Sequence, residues 1–426
     1  MHTRRRLIRA ALGAAIVTLA PALATTAAAV PSCAASAAET PAPGRAPPPP
    51  GDFPQLAGDF RETPMPPAQA MAMDAMVDEF LGATDTHALD AFVLHEDGRA
   101  WSKRVLPGVA ATETDASADA SAQAQDPRAQ GAPLFYWASV GKTWVAVAAL
   151  QLVEEGALSL EARLSEWDGD FPEADTIQVE HLLRHTSGLY SFQEDPELRA
   201  RPGYKAPPEL LAVARARPLL FCPGTRWAYS NTGYVLLGQI IEAVEGRPLS
   251  AVLQSRIADR LGLREVRLLG PDSRTNDLVA PRPAASPGGT ADDLRTPGAA
   301  GPIAASAAEM ARFWLASFGD ALLGPAMRQL RFESLQPGLG QFFGLGAMVY
   351  ELPASPNTPP DVWLGHSGGL PGAKAVLVWS TRQRAVAAVA LSGEASPEAL
   401  ANRLLALLEV DRHSGAASSS ASENAQ

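Results

Sequence analysis

The chain has 426 residues, 46% of them hydrophobic, which is enough for a large buried core in one or two domains. Its 35 basic and 46 acidic side chains give a formal net charge of −11. Binding to nucleic acid depends on neutralising phosphates, so this balance excludes DNA and RNA as expected partners and disfavours an anionic membrane surface.

Residues 1–30 have the pattern of a secretory signal peptide. A basic start from Arg4 to Arg9 precedes an alanine-rich apolar stretch that Pro21 interrupts, and small residues follow. Because such a peptide is removed, we expect an exported protein, either periplasmic or secreted. An uncleaved N-terminal anchor is the alternative, although a stretch of this composition is a poor membrane-spanning helix. No other membrane contact is expected.

The sequence contains two cysteines, Cys33 and Cys222. Cys33 lies where a signal peptide would be processed, and residues 30–33 loosely resemble a lipoprotein processing site, so a lipid anchor on Cys33 is a second hypothesis. Cys222 alone lies in the body of the chain. No internal disulfide is therefore expected, and Cys222 is predicted to be a buried thiol.

The first part of the chain combines a helix with a hairpin. After an Ala/Pro-rich linker over 31–66, helical spacing of apolar residues predicts a helix over 67–81. The runs 91–94 and 100–106 flank an Asp-Gly turn and predict a β-hairpin. The polar low-complexity segment 111–131 that follows predicts a mobile loop.

The rest of the chain is helical in the middle and rich in strands towards its end. Helices are predicted over 139–155, up to His185, and over 234–244, 307–318 and 397–408, and strands over 344–350, 362–364, 375–379 and 385–391. This order favours an α+β fold, in which one antiparallel sheet is flanked by helices and carries a mainly helical insertion. The domain is expected to cover 67–410, with a disordered tail over 411–426.

Lys142 is one of only four lysines, against 31 arginines (35 − 4). Arginine keeps its proton near neutral pH, whereas a desolvated lysine can lose it. Lys142 lies among apolar residues, where burial would lower its pKa. It follows Ser139 by three residues, so both side chains share one face of the predicted helix. An amine beside a hydroxyl at a helix start is an arrangement that activates a serine nucleophile.

Tyr229-Ser230-Asn231 lies between a Pro-Gly turn and an apolar helix. A phenolate of Tyr229, stabilised by a nearby cation such as Lys142, could act as a base. Asn231 could hydrogen-bond both Lys142 and a substrate carbonyl.

A third motif, His366-Ser367-Gly368-Gly369, precedes a predicted strand. Glycines on an edge strand let a substrate backbone approach and pair with it. The backbone N–H groups of Ser139 and Gly369 could then form an oxyanion hole.

In this order the three motifs resemble those of the class C β-lactamase, D-alanyl-D-alanine carboxypeptidase and D-aminopeptidase group: Ser-x-x-Lys, Tyr-x-Asn and Lys/His-Thr/Ser-Gly. Residues 182–189 and 221–225 resemble flanking segments of that family. The resemblance implies a β-lactamase-like fold. It implies the following roles: Ser139 as the acylated nucleophile, Tyr229 aided by Lys142 as general base, and Asn231, His366 and Gly368 as substrate-binding residues. No metal and no cofactor is expected.

His366 departs from the β-lactamases of this class, which have lysine there. Histidine is largely neutral at pH 7, so it offers no permanent charge to a substrate carboxylate. The resemblance is therefore to peptidase and esterase members, and the expected partner is a small amide, D-amino-acid peptide or ester. The sequence carries no signal for an oligomeric state.

Other interpretations compete with this hydrolase. Ser367 fits the Gly-x-Ser-x-Gly elbow of α/β-hydrolases, which needs a helix directly after it. Gly141-Lys142-Thr143 matches half of a P-loop but lacks its first glycine. His181 and His185 have metal-ligand spacing without a third ligand, so packing is the favoured interpretation. A non-catalytic sensor that keeps the pocket is the alternative from another class of protein.

Overall fold

The coordinates are a computed structural model that describes residues 33, 53–54, 61–107, 132–283, 293–354 and 359–408. The predicted signal peptide, nearly all of the linker before residue 61, segment 111–131 and the tail lie outside the described residues.

Twelve strands and eleven α-helices are assigned in these ranges. The strands are β1 (Thr63–Pro64), β2 (Thr86–His95), β3 (Arg99–Val105), β4 (Phe135–Tyr136), β5 (Val266–Leu268), β6 (Ile303–Ala305), β7 (Gln336–Gly338), β8 (Gln341–Phe343), β9 (Met348–Leu352), β10 (Asp361–Leu370), β11 (Ala373–Ser380) and β12 (Ala385–Gly393). The helices are α1 (Pro67–Ala83), α2 (Lys142–Glu154), α3 (Val179–Arg184), α4 (Pro196–Ala200), α5 (Pro207–Arg215), α6 (Asn231–Glu245), α7 (Leu249–Leu253), α8 (Asp259–Leu261), α9 (Ala307–Ala316), α10 (Pro325–Leu330) and α11 (Pro397–Ala406).

The main sheet has nine strands in the order β1-β3-β2-β12-β11-β10-β9-β8-β7. Its neighbours are antiparallel except for the parallel pair β1–β3. A second sheet has the order β4-β6-β5. The expectation of an α+β fold with an antiparallel sheet, flanking helices and helices between the two groups of strands is confirmed.

Both faces of the main sheet are buried, which follows from the alternation of side chains along each strand. On β12, Val386 and Ala388 face the core that contains α2, α6 and α9, whereas Ala387 and Val389 face the core that contains α1 and α11. The central strands are consequently mainly apolar on both sides, although single buried polar residues such as Asp90 on β2 lie within them.

The predicted hairpin is confirmed: β2 and β3 pair antiparallel around Gly98, whose φ is +93°. A Cβ at this position would lie 2.1 Å from the Arg61 carbonyl oxygen, so both the backbone conformation and the space require glycine. The strand predicted to end at Leu364 was too short, because β10 runs on to Leu370. Its glycines have low strand propensity but pair in register with β11.

The expectation of no internal disulfide is wrong. Cys33 and Cys222 are bonded, with their Cα atoms 5.4 Å apart and 189 residues between them in sequence. Cys222 is thus not a free thiol, and a lipid on the Cys33 sulfur would be incompatible with this bond. Sequence spacing could not reveal the pair, because a disulfide depends on how close the two Cα atoms lie in the folded chain.

None of the helices in the described ranges is both long and apolar enough to cross a membrane.

Candidate active site

Ser139 lies in a 3₁₀ turn, Ala138–Gly141, and the regular helix α2 begins only at Lys142. The prediction of one helix from Ser139 was therefore inaccurate at its start. Side chains three residues apart eclipse each other in a 3₁₀ turn, so Ser139 and Lys142 still point the same way. Ala138 has a φ of +46°, a strained conformation for a non-glycine residue directly before Ser139.

The small sheet holds this turn in place. The Trp137 backbone N–H donates to the Ile303 carbonyl at 3.0 Å, and its indole Nε1–H donates to the Ala305 carbonyl at 3.0 Å. Trp137 is fully buried, so the backbone before the nucleophile has little freedom to move.

Lys142 is 0% exposed, and its Nζ lies 2.9 Å from Ser139 Oγ. Nζ also donates to the Ala300 carbonyl at 2.7 Å. No ion pair to Lys142 is found in the described part of the chain. Burial alone lowers the pKa of the Lys142 amine well below its ordinary value of 10.5, which favours the neutral amine. The expected hydrogen bond from Asn231 to Lys142 is absent among these residues.

Two loops bring Tyr229 to this pair. The Gly224 N–H donates to the Thr186 carbonyl at 2.8 Å, and the Ala228 N–H donates to the His185 carbonyl at 3.0 Å. The His185 ring stacks on the Tyr229 ring with their centroids 4.3 Å apart. Lys142 Nζ lies 5.1 Å from the Tyr229 ring centroid. The structure thus gathers Ser139, Lys142 and Tyr229, which are separated by ninety positions in sequence.

The protonation states differ from the expected pair of phenolate and cation. Burial raises the pKa of the Tyr229 phenol above its ordinary value of 10.0, and the neighbouring Ser139 hydroxyl opposes this only in part. His185 is also buried, and burial together with the nearby Lys142 lowers its pKa well below 6.5. Burial thus favours the neutral amine of Lys142 and the neutral phenol of Tyr229.

Asn231 is 2% exposed, at the start of α6. Its Nδ2 donates to Gln193 Oε1, and its backbone N–H donates to Ser191 Oγ at 3.2 Å. It therefore orients Gln193, a residue that the sequence motifs did not single out.

The third motif forms a free strand edge beside the serine. Strand β9 pairs with β10 only as far as Gly365, so among the described strands residues 366–370 pair with β11 alone. A Cβ at Gly368 would lie 2.8 Å from the Ser139 nitrogen and 2.5 Å from the Trp137 carbonyl oxygen. Glycine is thus required here because the strand packs directly against the backbone of the nucleophile turn.

His366 is 2% exposed and carries no charge at neutral pH. Burial, followed by the proximity of Lys142, lowers the pKa of its imidazole to about 3. Its Nδ1–H donates to the Ser367 carbonyl at 2.5 Å.

The interpretation of Ser367 as an elbow nucleophile is wrong. Ser367 lies inside β10, and the turn at Pro371-Gly372 leads into β11 rather than into a helix. Its Oγ accepts a hydrogen bond from the Tyr350 hydroxyl at 3.0 Å. The strained strand-to-helix turn that exposes such a nucleophile is therefore missing.

The side chains of the half P-loop motif hydrogen-bond within the protein. Lys142 points into the core at the Ala300 carbonyl, and the Thr143 hydroxyl donates to the Val140 carbonyl at 2.7 Å. Neither group is open to a phosphate.

The two histidines with metal-ligand spacing have separate roles in packing. His181 Nδ1 accepts from the Gln178 N–H at 3.1 Å, whereas His185 stacks on Tyr229. Among the described residues no group of three or more His, Cys, Asp or Glu side chains could hold a metal ion. The sequence analysis did not identify His185 as a site residue, although His185 lies within the segment 182–189 that resembles the family.

Two clefts meet at Gly369. The smaller, of about 190 Å³, is lined among others by Ser139, Tyr229, Phe343, His366, Gly368 and Glu398. The larger, of about 310 Å³, is lined among others by Gln193, Leu198, Lys205, Thr296, Gly369 and Leu370. The nucleophile thus lies in the first cleft, and the free edge of β10 leads from it into the second.

A sheet flanked by helices in this way, with a serine, a buried lysine and a tyrosine beside the free edge of β10, defines the class of β-lactamase-like hydrolases. The chain belongs to the Beta-lactamase family, whose sequence profile matches residues 73–411. Among curated proteins, esterase EstB of Burkholderia gladioli is 34% identical over 151 residues, 31% of this chain and 38% of the esterase. The chain thus spans less than two fifths of the length of this relative.

Solved structures agree over a longer stretch. A D-stereospecific amidohydrolase from Streptomyces sp. is 25% identical, with a TM-score of 0.61 over 76% of this chain and 94% of that one. A D-amino acid amidase from Ochrobactrum anthropi SV3 is 20% identical, with a TM-score of 0.67 over 82% of this chain and 99% of that one. The β-lactamase-like fold implied by the sequence motifs is confirmed.

Proposed function

We propose that the protein is a serine hydrolase that transfers an acyl group from an ester or amide to Ser139 and then to water. The observation that carries this proposal is the 2.9 Å separation of Lys142 Nζ and Ser139 Oγ in a buried site. Because burial favours the neutral amine of Lys142 and the protonated phenol of Tyr229, we assign Lys142 as the base and Tyr229 as the acid of the first step.

Every proton transferred in this reaction has a donor and an acceptor in the site. The Ser139 proton passes to Lys142 while Oγ bonds to the substrate carbonyl carbon, and the N–H groups of Ser139 and Gly369 stabilise the oxyanion. As the bond to the leaving group breaks, Tyr229 gives its proton to the departing atom and takes one back from the Lys142 ammonium. Water then attacks the carbonyl carbon of the acyl-enzyme ester and passes a proton to Lys142. As the bond from that carbon to Ser139 Oγ breaks and the carboxylic acid leaves, Tyr229 protonates Oγ and takes a proton back from the Lys142 ammonium.

The cleft around Tyr229 favours a leaving group without a carboxylate. Tyr229 protonates the departing atom, so the leaving group occupies the smaller cleft, where His366 is neutral and Glu398 is acidic. The described residues that line this cleft include no charged Lys or Arg. Esters and amides with uncharged or cationic leaving groups are therefore the proposed substrates, in preference to penicillins. The similarity to an esterase and to a D-stereospecific amidohydrolase supports this choice.

Labelling with a fluorescent fluorophosphonate tests the nucleophile. We expect one label per chain, lost in Ser139→Ala and kept in Ser367→Ala, because only Ser139 has an adjacent base. Loss in Ser367→Ala alone would contradict the assignment. Label without turnover of p-nitrophenyl esters or D-alanyl amides would instead favour the sensor, whose ligand site is retained without hydrolysis.

The His366→Lys variant tests the leaving-group preference. A cation at this position would attract a substrate carboxylate, so the ratio of kcat/KM for nitrocefin to that for p-nitrophenyl butyrate should rise about 10-fold. His87→Lys is the matched control, since His87 is partly exposed and bound to Asp85 instead. An unchanged ratio would mean that residue 366 does not set this preference.

Export is part of the proposal. The Cys33–Cys222 disulfide supports it, because disulfides form and persist mainly in oxidising compartments.

A further inference from the structure

The larger cleft begins where the smaller one ends, at Gly369, and runs past Leu370. One wall comes from residues 192–205, including α4 and the segment before α5, and the other from residues 293–297. The Lys205 N–H donates to Thr296 Oγ1 at 3.2 Å, which ties the two walls together. The two walls of the cleft are therefore joined to each other and are not independent loops.

This cleft is on the acyl side of the reaction, an assignment that rests on the proposed function. The proton donor Tyr229 marks the side on which the leaving group departs, and Tyr229 lines only the smaller of the two clefts. An acyl chain whose carbonyl lies between Ser139 and Gly369 must extend in the opposite direction. That direction follows the β10 edge into the larger cleft.

Lys205 is 5% exposed, although it is a lysine, and it lines this cleft. Within the described ranges its ammonium makes no hydrogen bond and no ion pair within 4 Å. Because Lys205 lines the cleft, an anionic or hydrogen-bonding ligand in the cleft could pair with its ammonium. This is the signature of a group held ready for a ligand.

The other charged groups of the cleft leave Lys205 as its buried positive charge. Both Asp293 carboxylate oxygens accept hydrogen bonds from the Arg295 guanidinium, at 2.9 and 2.6 Å. These bonds are the main cause of the lowered pKa of Asp293, to which the charge of Lys205 contributes least. Glu194 and Arg199 also line the cleft, but both are exposed, so solvent screens them. The negative charge of Asp293 is thus already balanced by Arg295.

We propose that Lys205 binds an anionic group, specifically a carboxylate, on the acyl portion of the substrate. The substrate class is then the monoesters and monoamides of dicarboxylic acids, including acidic amino acids linked through a side-chain or α-carboxyl group. A substrate carboxylate is thus bound on the acyl side, whereas the leaving-group side, with Glu398 and a neutral His366, disfavours it. Together the two clefts favour substrates with a carboxylate on the acyl portion over substrates with a carboxylate on the leaving group.

The test compares p-nitrophenyl hydrogen adipate with p-nitrophenyl methyl adipate, which differ only in whether the far end of the acyl chain is charged. Wild-type protein is expected to prefer the charged ester. In Lys205→Met the ratio of kcat/KM for charged over neutral ester should fall about 10- to 100-fold, the loss expected for one charged hydrogen bond. Lys205→Arg should retain the preference, and Lys205→Glu should reverse it.

Lys103→Met is the matched control, because Lys103 binds Asp78 on the far side of the sheet. Equal losses of kcat/KM for both esters in Lys205→Met would show that Lys205 only supports the cleft. Unchanged kcat/KM values for both esters would show that it has no role, and either result overturns the proposal. If wild-type protein hydrolyses neither ester, the proposed function fails instead. Calorimetric binding of adipate to Ser139→Ala, lost in Ser139→Ala/Lys205→Met, then decides the role of Lys205 independently of hydrolysis.

Discussion

Lys142→Arg is expected to lower kcat/KM for p-nitrophenyl esters by about 1,000- to 10,000-fold, the contribution of a well-placed general base. The substitution keeps the positive charge that lysine could carry but removes the base, since a guanidinium does not give up its proton near neutral pH. Burst and steady-state kinetics on the purified mature protein measure the loss, and fluorophosphonate labelling measures the acylation step separately.

The pH dependence of wild-type protein belongs to the same expectation. Because burial lowers the pKa of Lys142, its basic form is present well below pH 10.5, and kcat/KM should fall about 10-fold per pH unit only below that lowered pKa. Burial raises the pKa of Tyr229, so no alkaline loss is expected until above pH 10. A profile that needs pH above 10 for activity would contradict the assignment of Lys142 as base.

Stability supplies the control for folding. Between the lowered pKa of Lys142 and 10.5 the unfolded chain binds one more proton than the folded chain, so the free energy of unfolding rises with pH in that window. Lys142→Met removes the titrating amine. The variant should be folded and no less stable than wild-type protein at pH 7, yet inactive. Lys103→Arg should leave activity near normal, and near-normal activity in Lys142→Arg would contradict the mechanism.

Removing the disulfide in Cys33→Ser/Cys222→Ser is expected to lower the free energy of unfolding by about 2–5 kcal/mol. The bond joins residues 189 positions apart, so its loss frees a long loop in the unfolded chain. Denaturant unfolding of both proteins, with and without reductant, measures the difference. The double variant in oxidant and wild-type protein in reductant should unfold at the same midpoint.

Two controls separate this bond from other roles of the cysteines. Peptide mass spectrometry under non-reducing conditions should recover Cys33 and Cys222 as one linked fragment, and a diacylglyceryl group on Cys33 would contradict the pairing. Wild-type protein whose midpoint is insensitive to reductant, despite an intact linked fragment beforehand, would show that the bond does not stabilise the domain.

The parts of the site that could be predicted from the sequence are those set by local geometry. A spacing of three places Ser139 and Lys142 side by side in either a 3₁₀ turn or an α-helix, so the error in the helix start did not affect their pairing. The Asp-Gly turn between two short runs likewise predicted the β2–β3 hairpin, because turn chemistry is a property of neighbouring residues.

Only the tertiary structure decided the protonation states and the distant partners. The phenolate expected for Tyr229 gave way to a neutral phenol because burial, which depends on the whole fold, raises its pKa. The stacking of His185 on Tyr229, the bond between Cys33 and Cys222 and the cleft that Lys205 lines all depend on segments far apart in sequence. No periodicity or spacing encodes such contacts, since they arise only when packing brings the segments together.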